Sequence, residues 1–314
     1  MAGAERGEGG PVSLAGIELG IGNWAWGDRT FWAGRGVYSD ADSRAAFDVS
    51  LAHGIRLIDT AEMYGWGRAE KLLGQFIRES GASVYVATKF MPLPWRLTRR
   101  RLINALQGSL RRLGLNQVEL YQIHWPVPPV PIDTWAEALA DAVEQGLARQ
   151  VGVSNYSASQ MRRAFAVLAR RGVHLAANQV EYSLLERTPE RNGLLSACQE
   201  LGVRLLAYSP LRQGLLTGKY TPDQPPPGIR GRRYATQLAR LGPLMEVMRA
   251  LGAAHGGRTP AQVALNWTIR KGTLPIPGVR DARQAEENAG ALGWALTDEE
   301  VAALDAASDA VTRV

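Results

Sequence analysis

The sequence predicts a single-domain α/β fold, a (β/α)8 TIM barrel over residues 13–314 behind a short flexible tail of residues 1–12. Three observations carry that prediction. One unit recurs seven times: an amphipathic helix ends at glycine, a short apolar strand follows, and the strand finishes on polar or glycine residues. An eighth strand, in "GIELGIGNW", precedes the first helix. Strands alternating with helices demand a parallel sheet, and eight such units suggest closure into a barrel. The third observation is negative. No G-x-G-x-x-G follows any strand, since "GWGRAE" and "LGIGNW" both fail the pattern, so an open doubly wound sheet loses ground.

In chain order the seven junctions read "LAHGIRLIDT", "RESGASVYVATKF", "RRLGLNQVELYQIHW", "VEQGLARQVGVSN", "ARRGVHLAANQ", "QELGVRLLAYS" and "IRKGTLPIPGVR". Glycine is favoured just past a helix because it enters the left-handed conformation without a steric cost. Helix starts are marked too. Ser157 with Gln160, Thr259 with Gln262 and Thr297 with Glu300 have capping-box spacing, and Pro260 suits a first helical position. In "RLTRRRLINALQGSLRRLG" the residues Leu102, Ile103, Leu106, Leu110 and Leu113 form one apolar face. The arginines then fill the solvated face, which predicts a shell helix and no nucleic-acid partner. After the seventh strand, the Pro-rich run "TPDQPPPGIRGRRY" predicts a long functional loop over residues 209–240.

Composition narrows the class. Apolar residues make up 46% of the chain and charged residues 21%, as expected of a globular protein with a sizeable core. No apolar run approaches the roughly 18 residues of a membrane span, so no membrane partner is expected. The N-terminus has no apolar segment of the signal-peptide kind, and the single Cys198 cannot form an internal disulfide, which together predict a cytoplasmic location. Of four histidines only His124 lies at a strand end, too few for a metal ligand set.

In a barrel of this kind the active site lies at the C-terminal mouth of the strands. The residues there are Gly22 and Asn23, Asp59, Lys89, His124, Ser154 and Asn155, Gln179, Tyr208, and Gly278 to Arg280. An acid, a base, an imidazole, several amides and a phenol thus meet at one rim.

Over roughly residues 13–308 the chain resembles the aldo-keto reductase superfamily, in its plant-plastid and bacterial branch. The match rests on "GIRLIDTAEMYGWGRAE", "ATKF", "YQIHW", "VGVSNYS", "NQVEYSLL", "AYSPLRQGLLTGKY" and "IPGVRDARQAEENAGALG", in that order. The resemblance implies reduction of an aldehyde or ketone with NADPH, and a catalytic tetrad of Asp59, Tyr64, Lys89 and His124. The chemistry agrees. Tyr64 would donate a proton; a free phenol has a pKa near ~10, and Lys89 would lower it toward a useful range. Asp59 would pair with Lys89, and His124 would orient the substrate oxygen.

The same resemblance implies the cofactor residues. Gly22, Asn23 and Trp24 would contact the cofactor; Ser154, Asn155 and Gln179 would hold the nicotinamide carboxamide, and Tyr208 would stack on the ring. Ser209, Leu211, Gly214, Leu216, Lys219 and Arg230 would wrap the pyrophosphate. Gly278, Arg280, Gln284, Glu287 and Asn288 would take the adenosine end, with Arg280 placed for a 2′-phosphate and so favouring NADPH over NADH. Gln284 stands where many members have a basic residue. Trp26, Trp66 and Trp125 would wall an apolar or aromatic carbonyl pocket, whereas Trp32 and Trp95 read equally well as loop anchors. Pyridoxal, reduced by some relatives, is one candidate substrate, and a monomer is slightly favoured. The alternative is a catalytically weak NADPH-binding regulatory subunit resembling potassium-channel β subunits. That branch commonly has Asn where this chain has His124, so the histidine favours an enzyme.

Overall fold

The computed structural model describes residues 14–27 and 39–312; the expected tail and Trp32 lie outside the described residues. Eight parallel strands pair in sequence order. They are β1 (Gly20–Gly22), β2 (Leu57–Asp59), β3 (Tyr85–Phe90), β4 (Val118–Ile123), β5 (Ala148–Ser154), β6 (Leu175–Glu181), β7 (Arg204–Tyr208) and β8 (Leu274–Ile276). At the seam the Gly22 N–H donates to the Pro277 carbonyl at 2.9 Å and the Val279 N–H to the Gly22 carbonyl at 3.3 Å. Eight parallel strands with helices between them therefore form a nearly closed barrel, as expected.

The local signals act as their chemistry requires. The glycine at every one of the seven junctions (54, 81, 114, 146, 172, 202 and 272) has a φ between 65° and 76°, the left-handed turn that sends the chain from a helix back toward the sheet. Ser157 with Gln160 and Thr259 with Gln262 form reciprocal capping boxes, and the Thr297 N–H donates to the Glu300 carboxylate at 2.8 Å. All five apolar residues of the helix Arg99–Leu113 singled out above are buried.

Strand alternation sorts side chains into two cores. Ile58, Val86, Tyr121, Ile123 and Val153 belong to the larger one, which packs the sheet against the helical shell and includes Leu102, Leu106 and Leu110. Leu57, Tyr85, Ala87, Leu120, Ala177, Leu206 and Leu274 fill the barrel interior, with Leu14 packed among them.

One expectation fails. The segment after β7 is not one long loop, because Arg212–Thr217 is a short 3₁₀ segment and Ile229–Arg240 is an α-helix. Tyr234, Leu238 and Leu241 recur at helical spacing and are buried, so one face of this segment packs onto the core. The run of prolines and Gly228 ahead of it conceals that periodicity in the sequence.

Candidate active site

The site begins two residues further along the strands that carry the apolar interior. Stepping by two keeps a side chain on the inner face. Leu57 gives way to Asp59, Ala87 to Lys89, Leu120 to Gln122, Ala177 to Gln179 and Leu206 to Tyr208. The Lys89 ammonium is fully buried, 2.5 Å from Asp59 Oδ2, 2.9 Å from the Thr60 carbonyl and 3.4 Å from the Tyr64 hydroxyl. Its three donors thus face three acceptors. Burial opposes the lysine's charge, but Asp59 and Tyr64 outweigh it and raise the pKa above the ordinary lysine value. Such a pair is tolerated in the interior only because both charges are fully hydrogen-bonded.

Tyr64 is positioned by close backbone contact. A Cβ on Gly27 would lie 2.7 Å from the Tyr64 carbonyl oxygen, and one on Gly65 only 2.2 Å from the Gly27 carbonyl oxygen. No larger residue fits at either place, so the Tyr64 loop is pressed against the turn after β1. Tyr64 is half-buried. Burial raises its pKa, Lys89 opposes that, Asp59 adds to it, and the net direction is upward. The expected lowering by Lys89 is therefore present but loses to burial. His124 stands edge-on to Tyr64 with ring centroids 6.1 Å apart. Burial and then the Lys89 charge lower its pKa to about 3, so the imidazole is neutral near pH 7.

A connected set of amides flanks this centre. The Tyr208 hydroxyl donates to Asn155 Oδ1 at 3.0 Å; Asn155 Nδ2 donates to the His124 carbonyl at 3.0 Å and to Ser154 Oγ at 3.0 Å. Ser154 Oγ donates to the Gln179 carbonyl at 2.8 Å. Gln179 Nε2 donates to Asp59 Oδ1 at 2.8 Å, which directs its N–H at the charge pair and leaves its Oε1 as the atom to accept from a carboxamide. Asn23 departs from its expected task. Its side chain is fully buried and donates to the Ala69 carbonyl at 3.3 Å, leaving its backbone and Gly22 at the rim.

The residues expected around the pyrophosphate lie after β7, where the backbone turns left-handed at Ser209 (φ 52°), Arg212 (φ 45°), Gln213 (φ 52°) and Gly214 (φ 93°). Alternating hands of this kind make concave, N–H-lined surfaces that receive anions. Leu211 is half-buried and Lys219 exposed, but Leu216 is wholly buried, so its side chain belongs to the core and only its main chain could face a ligand. Arg230 and Arg280 are partly exposed and Gly278 is exposed. Gln284 Oε1 accepts from the Arg280 N–H at 3.1 Å, and Glu287 accepts from Thr259 Oγ1 at 2.5 Å. Asn288 is buried, and its Nδ2 has no partner. An orphaned amide donor and a left-handed phosphate turn are features a dinucleotide would satisfy, so these residues fit the cofactor the sequence implied.

The tryptophans divide. Trp66 is 82% exposed and Trp125 43%, while Trp24 lies 6.1 Å from the Tyr64 ring. Trp26 is not a pocket wall. It is buried against Phe76 and its indole N–H donates to the Val279 carbonyl at 2.9 Å, which ties the β1 turn to the segment after β8. Trp95, 71% exposed, is not an anchor buried in its loop.

Two contributors were missed from sequence. Gln122 is buried, its Oε1 3.4 Å from Gln179 Nε2, and its own Nε2 has no partner. The signal was available, since Leu120, Gln122 and His124 share one parity. The Thr60 carbonyl, third acceptor for Lys89, carries no signal in residue type.

The model of the aldo/keto reductase family matches residues 18–309. A protein of Arabidopsis thaliana named pyridoxal reductase, chloroplastic, is 42% identical, the match covering 95% of this chain and 84% of that one. A glycerol dehydrogenase structure from Gluconobacter oxydans superposes with a TM-score of 0.81 at 30% identity, covering 93% of this chain and 91% of its own. An aldo-keto reductase from Klebsiella pneumoniae, solved in complex with NADPH, does so with a TM-score of 0.73 at 31% identity, over 92% and 89%. An eight-stranded barrel with a buried Asp–Lys pair under a phenol, matched by a family model along almost its whole length, is an oxidoreductase, and the chain belongs to the aldo/keto reductase family.

Proposed function

We propose that the protein reduces an aldehyde or ketone to the alcohol, with Tyr64 as the proton donor. The observation that carries this reading is the Tyr64 hydroxyl held 3.4 Å from the buried Lys89 ammonium. The enzyme is NADP-dependent, and bound NADPH supplies the hydride to the carbonyl carbon. The residues after β7 and β8 described above would hold the nucleotide, with Arg280 toward the 2′-phosphate. Tyr64 releases its proton to the carbonyl oxygen and becomes a tyrosinate. In a buried site that anion is costly, and the adjacent Lys89 charge stabilises it far more than water could. Asp59, aided by Gln179, keeps the ammonium charged and directed. His124 is neutral, so it orients the substrate oxygen by hydrogen bonding; with a pKa of about 3, it carries no spare proton near pH 7.

The substrate side of the mouth presents Trp66 and Trp125, which suit a flat aromatic carbonyl. Pyridoxal is such an aldehyde, and the similar Arabidopsis protein bears its name. The lone Cys198 is buried and has no second cysteine to pair with, which supports the reducing environment of a cytoplasm. Loss of NADPH absorbance with pyridoxal, benzaldehyde and glyceraldehyde tests the reading. Pyridoxal and benzaldehyde should turn over with the higher kcat/KM; preference for glyceraldehyde would overturn the aromatic assignment, and no turnover with any carbonyl would overturn the reaction.

A further inference from the structure

Around the helical shell, neighbouring helices are tied by arginine–carboxylate pairs. Arg44 of helix Asp40–Ala52 meets Glu79 of helix Arg68–Ser80 at 2.5 Å. Arg99 reaches Asp141, Arg163 meets Asp133 at 2.7 Å, and Arg162 meets Glu200 at 2.5 Å across three further helix interfaces. The interface between the helices Arg68–Ser80 and Arg99–Leu113 carries one such pair as well, Arg112 with Glu70, but it adds further cations that no carboxylate balances. A groove of about 530 Å³ opens there, lined by Lys71, Gln75, Arg78, Gly108, Arg111 and Arg112. It brings four cations together with no carboxylate in its lining. Only Arg112 has an acidic partner across the interface, the buried Glu70 at 2.6 Å; Arg78 donates to the Gly74 carbonyl of its own helix. Lys71 and Arg111 form no ion pair among the described residues.

The groove's shape is set by two glycines. At Gly74 a Cβ would lie 2.2 Å from the Leu113 carbonyl oxygen, so the two helices are in backbone contact there. In mid-helix, Gly108 leaves open the space beside Arg111 and Arg112, whose guanidinium nitrogens lie 3.8 and 3.3 Å from where its Cβ would be. Glu79, which accepts from the groove residue Gln75 at 2.7 Å, is also paired with Arg44. Lys71, Arg78 and Arg111, three converging cations with no ion pair among the described residues, beside the Glu70-paired Arg112, make a site for a compact anion of several charges.

We propose that this groove binds a small molecule bearing two or three linked phosphates, at a site separate from the cofactor's. The basic field is bounded by the paired arginines on both flanking interfaces, which favours a compact ligand over an extended nucleic-acid backbone. The probe is inorganic tripolyphosphate, titrated calorimetrically into enzyme already saturated with NADPH, so that the cofactor's own phosphate contacts are filled. Saturable one-to-one binding is expected, weakening with added salt. The double substitution Lys71→Gln with Arg111→Gln should weaken it roughly tenfold, as two exposed charge contacts would, while leaving NADPH affinity and turnover unchanged. Substituting Arg56→Gln with Arg149→Gln, outside the groove, should leave it unchanged. Absence of saturable binding to the parent enzyme, equal loss in the two double variants, or tighter binding of a single-stranded oligonucleotide carrying several protein copies would each overturn the assignment.

Discussion

Within one barrel, two layers of inward-facing side chains sit a single pleat apart and obey opposite rules. The lower layer, including Leu57, Tyr85, Leu120, Leu206 and Leu274, is apolar and packed, and its contribution is the hydrophobic burial that holds the strands together. The upper layer, including Asp59, Lys89, Gln122 and Gln179, is equally buried but polar, and it leaves Gln122 Nε2 without a partner. Unpaired buried polar atoms cost stability. The comparison teaches that the two jobs are separable along a strand: the lower layer supports the fold, and the upper spends part of that stability to hold charges where a reaction needs them.

The sharpest way to break the comparison is to alter the proposed chemistry without touching either layer. Tyr64→Phe removes one hydroxyl and keeps the ring. Turnover should fall by about 10²–10⁴-fold, the usual contribution of a general acid. NADPH affinity, read by tryptophan quenching, should barely move, because the nucleotide residues are intact, and the thermal midpoint should fall only slightly, because Lys89 loses one of its three acceptors. Near-parent turnover in a variant that still binds NADPH would show that the proton comes from elsewhere.

The converse change lies in the lower layer. Leu120 is fully buried and stands two residues before Gln122 on β4. Leu120→Ala should cost about 2–5 kcal/mol of unfolding free energy, the range for large-to-small core changes. The folded fraction should keep kcat close to the parent value at a temperature well below its midpoint. A large loss of kcat at full occupancy of the folded state would mean that the layers are mechanically coupled, and the separation drawn above would not hold.

Much of this was legible before any coordinates. The barrel follows from glycine-ended helices alternating with short apolar strands, and each junction glycine takes the conformation that made it a signal. The tetrad positions came from motif resemblance and strand ends together. What escaped has identifiable causes. Helix Ile229–Arg240 follows a proline run that reads as loop. Trp26 has the residue type of a pocket wall, yet its indole N–H finds the Val279 carbonyl, a contact 253 residues away that no local pattern encodes. The second partner of Gln179, Asp59, lies 120 residues away and was not foreseen. Left-handed backbone at Trp66, Ser209, Arg212 and Gln213 was also hidden, because those residue types do not announce it.

The smallest expected effect bears on what the upper layer costs. His124 is neutral in the folded protein, with its pKa lowered to about 3 by burial and then by Lys89, against an ordinary value of 6.5. Between those values the unfolded chain binds a proton that the folded one refuses, so stability rises with pH across this window and is lost as pH falls below 6.5. At pH 5 the loss from this one group should be about 2 kcal/mol relative to pH 7. Other groups titrate as well; Glu190, held near 2 by Arg187 and Tyr182 despite burial, loses its contribution as pH falls below 4.5, lower on the scale. Denaturant unfolding of the parent and of His124→Gln at pH 7 and pH 5 isolates the histidine, since the variant retains every other titrating side chain. The parent should lose more stability than the variant on acidification, by about the amount given. Equal losses in the two proteins would mean that the imidazole is not held neutral, and the orienting role given to it would then have to be replaced by one in which His124 carries the proton.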